Sequence, residues 1–530
     1  MQLNRAVFRD KVEGCWLGKN VGGAIGTPFE WRRKVNNVTF EMYKSFFPKD
    51  GTPVPSLNDD LDVQLLWIVA MEEMGIDVTA HRLAEYWVNY LSPHWAEYGT
   101  AKTSMRQGLP PPLSGIMRNP EKDSCGAYIR SEIWACLAPG IPELAAKYAY
   151  EDAILDHGDG EGTYAEMFTA ALESAAFVVP TLGDAIDVGL SFIPKDCGVA
   201  KAVTLARKCF AEKWTWLDTR HEILKQFLAP PHEFCIKWMT EDDIARGFGP
   251  GKGTFGYEAP INVALTIVGL LWGGDDFGEV QCVCVNCGED TDCTAATAGS
   301  IWGIMHGAKA IPEKWTKPLG RAIKTIVLNI CDLGLWGSQL PQTVDELVDR
   351  TVALTERVQR KYAWDWWKKQ FRFFLTDGET DLADVSVQQL CAKDNGASVW
   401  GGCKGPRYDF DLVGVQVDYG KDHALMVEGV PKTLKVTLTN RYNKCQYNLN
   451  LHWYLPEGWK VDTGVDGYYL LTQPYQHLYA PQTLEFTLTA EKFTGASQRA
   501  VLEITIPGRP TAMLVPLIFL NGRLHQGKNG

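Results

Sequence analysis

Two short acidic runs carry the residues best suited to chemistry in this chain. The first is Asn58-Asp59-Asp60-Leu61-Asp62, and the second is Gly288-Glu289-Asp290-Thr291-Asp292-Cys293-Thr294. Taken singly, each reads as an acidic first turn of a helix, where carboxylates cap free N–H groups and complement the macrodipole. Taken together they ask for more, because neighbouring carboxylates repel one another unless a cation lies between them. Oxygen donors of this kind suit Mg2+, Mn2+ or Ca2+ rather than zinc. A fold that joined the two runs would build a site for one or two such ions.

Both runs open helical stretches. Asn58 stands at an N-cap ahead of Leu61, Leu65, Leu66, Ile68 and Val69, and Gly75 supplies the stop. The second run leads into Ala295–Ile304. Ala80, Leu83, Ala84, Trp87, Val88 and Leu91 follow helical spacing. Thr343-Val-Asp-Glu346 is a capping box ahead of Val344, Leu347, Val348, Leu354 and Val358. Near Gly401-Gly402-Cys403-Lys404-Gly405-Pro406 the period changes from helical to two. Leu434–Asn440, Leu449–Leu455, Leu484–Thr489 and Val501–Ile506 then read as strands at sandwich spacing. The pattern predicts a multi-domain chain: an all-α domain over residues 1–400 and a small Ig-like all-β sandwich over 401–530.

The 530 residues carry 45% hydrophobic and 22% charged side chains, an ordinary globular balance with material for a large core. A net charge of −12 gives no basic footprint for nucleic acid. The basic cluster Lys368, Lys369 and Arg372, beside Trp366, Trp367, Phe371 and Phe373, reads as a solvated helix face at the domain junction. The N-terminus has no apolar signal region and the chain has no run of 18 apolar residues. These features predict a cytoplasmic protein with no membrane partner. Fourteen cysteines are too dilute for a disulfide scaffold, and Cys284-Val-Asn-Cys287 lacks a second pair at zinc spacing. Buried reduced thiols are the expectation. Gly251-Lys-Gly-Thr-Phe-Gly256 satisfies GxGxxG, but no strand precedes it, so it reads as a Gly-rich loop lining a pocket. Nineteen tryptophans suit sugar faces as well as cores, and Trp31 and Trp459, in loops or turns, are those most exposed to a sugar-binding role.

Four segments resemble the ADP-ribosylglycohydrolase family, in the family's order. Gly14–Glu30 is similar to its opening helix and turn, and Asn58-Asp59-Asp60 to its Thr/Ser-Asp-Asp motif. Gly288–Gly299, continuing to Ile311-Pro-Glu-Lys-Trp315, is similar to its Gly-Gly-Asp-Thr-Asp-Thr-Asn block. Asp156-His157-Gly158, with Tyr164 following, matches a weaker segment. The resemblance covers roughly residues 9–375. It implies an all-α bundle holding two Mg2+ or Mn2+ ions and hydrolysing the glycosidic bond of protein-linked ADP-ribose. It further implies Asn58, Asp59, Asp60, Asp290 and Asp292 as metal ligands, and it gives Glu30 the place of a functional glutamate near the entrance.

The departures gather at the same place. Cys293 stands where the family has a threonine ligand, and a thiol is a poor partner for Mg2+. Thr294 is adjacent but would project about 100° away on a helix. Gly23 replaces a Gly-Asp pair, and Asp62 is an extra carboxylate one turn from Asp59. Asp62 could support a ligand, act as a general base, or be solvated. Asp123-Ser-Cys-Gly126-Ala-Tyr128-Ile-Arg130-Ser-Glu132 takes the place of a Gly-rich phosphate loop. Tyr128 and Glu132 add bulk and negative charge there. Glu132 would repel a diphosphate unless Arg130 screens it, and Arg130 could bind phosphate or pair with Glu132. Leu455-Pro-Glu-Gly-Trp459 resembles a motif of sandwich modules appended to carbohydrate-active enzymes.

The expected activity is a metal-dependent glycosidase. Its substrate would be a small-molecule sugar glycoside or conjugate, with ADP-ribosyl hydrolysis and a non-catalytic binding role as alternatives. Glu30, Asp60, Asp62 and Glu132 are the catalytic candidates. Gly126, Tyr128, Arg130, His157 and Tyr164 are the substrate-binding candidates.

Overall fold

The computed structural model describes residues 1–30, 33–227, 256–362, 364–365, 370–371, 373–382, 385–401, 405–441, 445–472 and 482–525. Trp31, Gly251–Phe255 of the Gly-rich loop, and Trp366–Lys369 with Arg372 of the basic cluster lie outside them, as do Gly402, Cys403 and Lys404 of the junction. The chain forms two compact units. One is Met1–Thr100 with Pro120–Trp400; the other is Ala101–Asn119 with Gly401–Gly530.

The first unit is helical, with two small two-stranded sheets at its ends. Gln2–Asn4 runs parallel to Phe374–Thr376, and Trp364–Asp365 runs antiparallel to Gln370–Phe371. Its organising contact is between the opening helix, Arg5–Gly26, and the helix Thr291–His306. Small residues make that contact possible. A Cβ on Gly18 would lie 2.1 Å from the carbonyl oxygen of Gly299, and one on Gly22 would lie 2.2 Å from that of Ala295. At Gly26 it would lie 2.3 Å from the Cα of Asp292. Backbone therefore touches backbone along the whole crossing, and the Thr291 hydroxyl donates to Gly26 O at 2.8 Å. The opening glycines are there to let the end of one helix reach the start of the other.

The helix Asp59–Met74 starts on the Asn58 cap and stops at Gly75, whose φ is +89°. Asp60 through Met71 are buried without a solvent face, so this helix is an internal strut. Half of the capping box at Thr343 forms: its hydroxyl accepts the Glu346 N–H at 3.2 Å. Glu346 reaches the Gln342 N–H instead of closing on Thr343. Among the described residues, no helix is long and apolar enough to cross a membrane.

The second unit holds two five-stranded sheets. One orders Trp459–Val461, Gln482–Ala490, Lys432–Asn440, Val413–Asp418 and Arg407–Asp409. The other orders Asp466–Leu471, Tyr447–Tyr454, Ser497–Thr505, Ala512–Asn521 and Leu425–Met426. Pairing is antiparallel except between Ala512–Asn521 and Leu425–Met426. Period-two alternation puts Leu434, Val436 and Leu438 of one sheet and Leu449, Leu451 and Trp453 of the other into one core. Leu109, Leu113 and Met117, far upstream in sequence, join that core. Trp459 also belongs to it: its ring packs on Phe493 and Phe519 and its Nε1 donates to Gln498 at 3.0 Å. The reading of Trp459 as a loop or turn residue is corrected: it opens the strand Trp459–Val461, and its side chain is only 6% exposed.

Candidate metal centre

Three helix ends converge at the crossing. The Gly26 end of the opening helix delivers Glu30, the Asp59 helix begins with Asp59 and Asp60, and the Thr291 helix begins with Asp290 and Asp292. Each is held locally. The Asn58 side-chain oxygen accepts the Asp60 N–H at 2.7 Å, and its Nδ2 donates to Asp292 Oδ2 at 3.1 Å. Gly23 is needed beneath it, since a Cβ there would lie 2.7 Å from Asn58 Nδ2. Asn58 thus joins the two acidic runs as a cap and a donor. Glu289, at φ +67°, turns the chain into Asp290, whose N–H donates to Asn262 Oδ1 at 3.1 Å. The Tyr98 hydroxyl holds Asp59 Oδ2 at 2.9 Å.

Ligand-type atoms of Glu30, Asp290 and Asp292 lie within 4.8 Å of one another, and so do those of Asp60, Asp292 and Cys293. A third group at the same spacing is Cys125, Asp290 and Cys293. The three share members and form one continuous cluster. Asp60, Asp290, Asp292 and both thiols are buried; Glu30 and Asp59 are partly exposed and form its open side. Asp290 Oδ1 and Asp292 Oδ1 are buried and accept no hydrogen bond. Lys19 approaches Asp60 Oδ2 only at 3.8 Å.

The electrostatics follow from this crowding. Burial first, and then the carboxylates of Asp292, Asp59 and Asp60, push Glu30 up to about 10. Burial, then the Cys125 thiol and the Asp292 carboxylate, raise Asp290 well above the usual carboxylate range. Asp60 is likewise raised well above it by burial, with Lys19 opposing. Several buried carboxylates that cannot ionise together, with three oxygens unsatisfied, are what a cation-binding cluster looks like without its counter-charge. The oxygen-lined side, from Glu30 and Asp292 to Asp60, fits a hard divalent ion, whereas the side lined by Cys125 and Cys293 does not.

The remaining sequence candidates are placed elsewhere or otherwise engaged. Asp62 Oδ2 accepts the backbone N–H groups of Ile326 and Val327 at 2.6 and 2.8 Å and belongs to none of the three groups. Glu132 is fully buried and does not meet Arg130; Lys19 donates to it at 2.7 Å and Gln64 at 2.8 Å. Arg130, expected to bind phosphate or pair with Glu132, does not pair with Glu132. It is fully buried, donating to Asp152 at 3.0 Å and to Asp156 at 2.7 and 3.0 Å, with its guanidinium over the Trp87 ring. Its Nη1 also donates to Gly126 O, and a Cβ on Gly126 would strike Glu97. Tyr128 is buried beside Cys125, Cys293 and Asp290. His157 is also fully buried, with Nδ1 2.8 Å from Asp156 and Nε2 3.1 Å from the Ser124 hydroxyl. Tyr164 packs edge-on against Trp400, away from the cluster.

Sequence reasoning did not single out Lys19, Tyr98, Glu97 or Cys125. Cys125 is the most consequential of these: its Sγ lies 2.8 Å from Asp290 Oδ2. Its loop is pinned to the start of another helix, with Cys125 N–H donating to Tyr257 O and Ala259 N–H donating to Asp123 O. The one available signal was its place in the segment that departs from the family's phosphate loop.

Among solved structures, one match is an alkylpurine DNA glycosylase from Pseudomonas fluorescens bound to DNA containing an abasic site analog. It is 11% identical, covering 88% of this chain and 99% of that one, with a TM-score of 0.10, and carries no argument. The family model for ADP-ribosylglycohydrolase matches residues 4–370, which spans the opening glycines and both acidic runs. On that match, a glycohydrolase family supplies the coarse chemistry, and this chain belongs to the ADP-ribosylglycohydrolase family.

Proposed function

We propose that the protein hydrolyses a glycosidic bond with the help of divalent cations, and that its substrate is a sugar glycoside or conjugate of low negative charge. The observation that carries the reading is the convergence of Glu30, Asp60, Asp290 and Asp292 from three chain segments, with buried unsatisfied oxygens on Asp60, Asp290 and Asp292 and with Asp59 close enough to act on Glu30. Asp60, Asp290 and Asp292 would hold Mg2+ or Mn2+, with Asp59 at the edge. A cation there would polarise water and fix a sugar's vicinal hydroxyls. Glu30 is the acid–base candidate, because it is a partly exposed carboxyl in reach of both the cluster and solvent. Asp62 and Glu132, buried on backbone amides and on Lys19 with Gln64, act in this reading as supports.

The substrate class rests on charge. Lys19, Arg33 and Arg130, cations near the cluster and its loops, each meet carboxylates: Glu132, Glu258 with Glu289, and Asp152 with Asp156. A diphosphate would have to compete with buried ion pairs for them. One observation favours the second reading, ADP-ribose. Lys324 is exposed and lines a small recess with Asn20, Ser56 and Asn58 beside the open side. The test is turnover and thermal-shift screening of the full chain with Mg2+ against ADP-ribose, ADP-ribosyl conjugates and a panel of neutral glycosides, repeated with Lys324→Ala. Neutral glycosides should be turned over with unchanged KM in Lys324→Ala. Stabilisation by ADP-ribose alone, lost in Lys324→Ala, would replace the first reading with the second.

A further inference from the structure

Two thiols close the buried end of the acidic cluster, where a hard ion has no use for them. Cys125 comes from the loop before Gly126, and Cys293 from the first turn of the Thr291 helix. With Asp290 their ligand atoms all lie within 4.8 Å of one another. We propose that Cys125, Cys293 and Asp290 form a site for a thiophilic divalent ion of the zinc, iron(II) or cobalt(II) class, next to the oxygen-lined position. The assignment builds on the reading of this cluster as a metal centre, but it does not require turnover.

Three features beyond the presence of two cysteines support it. First, the ligands already face one another: Cys125 Sγ donates to Asp290 Oδ2 at 2.8 Å, while Asp290 Oδ1, buried, accepts no hydrogen bond. Second, the spacing fits. Tetrahedral ligands at a metal–sulfur distance of about 2.3 Å stand about 3.8 Å apart, so atoms no more than 4.8 Å apart, with Cys125 and Asp290 at 2.8 Å, need shift by no more than about 1 Å. Third, the frame is rigid. Asp290 and Cys293 are one helical turn apart on one face, Asp290 is held by Asn262, and the Cys125 loop is pinned through Tyr257 and Ala259. Thiolate sulfur with one carboxylate selects transition ions over Mg2+. Each thiol that becomes a ligand releases its proton to solvent, and no electron changes hands. Cys293 also stands within 4.8 Å of Asp60 and Asp292, so it joins the thiolate position to the oxygen one. The two positions would therefore hold chemically different ions.

The test is a Co2+ titration of the metal-stripped full chain, followed by absorbance. A sulfur-to-cobalt charge-transfer band that saturates at one equivalent is expected. Excess Mg2+ should not displace it, Cys125→Ala and Cys293→Ala should each abolish it, and Cys284→Ala should keep it. No band in the folded wild type, or a band that survives in both Cys125→Ala and Cys293→Ala, would overturn the assignment. Should those variants fail to fold, X-ray absorption of the Zn2+-loaded wild type decides instead: two sulfurs at about 2.3 Å uphold the site, and an oxygen-only shell removes it. Mg2+-dependent turnover without the band would leave the hydrolase reading standing and remove this one. The band without turnover would do the reverse.

Discussion

Gly22→Ala adds a single methyl group, and the structure places it against backbone. The new Cβ would lie 2.2 Å from Ala295 O and 2.3 Å from Ala295 C, where ordinary contact begins at 3.4 Å. Neither partner is a flexible side chain, so the two helices must separate locally by about 1.2 Å. Overpacking of this kind costs about 1–3 kcal/mol. Alanine's better helix propensity returns up to about 1 kcal/mol, so the net loss is on the order of 1–2 kcal/mol. Function should suffer more than stability. Ala295 is one turn beyond Asp292, so separating the helices there displaces a carboxylate of the cluster. The assay is paired: urea unfolding for stability, and Mg2+ binding by calorimetry for the cluster. Gly183→Ala is the control, because there the new Cβ has Thr181 Oγ1 at 3.7 Å as its nearest neighbour. It should be neutral or stabilising by up to about 1 kcal/mol. If Gly22→Ala matches Gly183→Ala in both measurements, the close helix crossing does not position the cluster as described.

Arg130→Gln breaks a buried pair with Asp152 and Asp156 and should cost about 3–5 kcal/mol in urea unfolding. Unchanged stability with a raised KM for a phosphate-bearing substrate would restore Arg130 as a ligand-binding residue. Glu97, buried near His157 and Asp156, is pushed up to about 7 by burial, with His157 opposing. The folded state therefore holds this proton in a range where the unfolded chain has released it. Its effect is to lower stability as pH rises from the ordinary carboxylate range through about 7. Glu97→Gln should gain on the wild type in urea midpoint between pH 5 and pH 8, by an amount that grows with pH; a pH-independent difference would refute this. Trp459→Ala should destabilise the β unit by about 3–5 kcal/mol, read as the loss of its unfolding transition. A stable variant that had lost sugar binding would return Trp459 to a recognition role.

The parts legible in the sequence were those with local causes. Asn58 and the acidic first turns announced helix starts, and the period-two runs from Leu434 onward announced the sandwich. The opening glycines were visible as a pattern, although their partner, the Ala295–Gly303 face, was not. What stayed hidden was set by distant pairing. Arg130 was read against Glu132, two residues away, but folding gives it Asp152 and Asp156 and gives Glu132 Lys19, from the opening helix. Buried charges choose partners by where helices cross, and no spacing rule encodes that. Cys125 escaped notice because Asp290 is 165 residues further on. Leu109, Leu113 and Met117 lie among helical segments of the first 400 residues yet join the β core, which no periodicity could reveal.

The central claim is that the joined acidic runs work by holding divalent cations. Its most direct test is glycohydrolase turnover by the folded wild-type chain, stripped of metal and then resupplied with Mg2+ or Mn2+. The account predicts loss of turnover on stripping, recovery on resupply, and no recovery in Asp290→Ala that remains folded by circular dichroism. Turnover that persists after complete removal of divalent ions would contradict it.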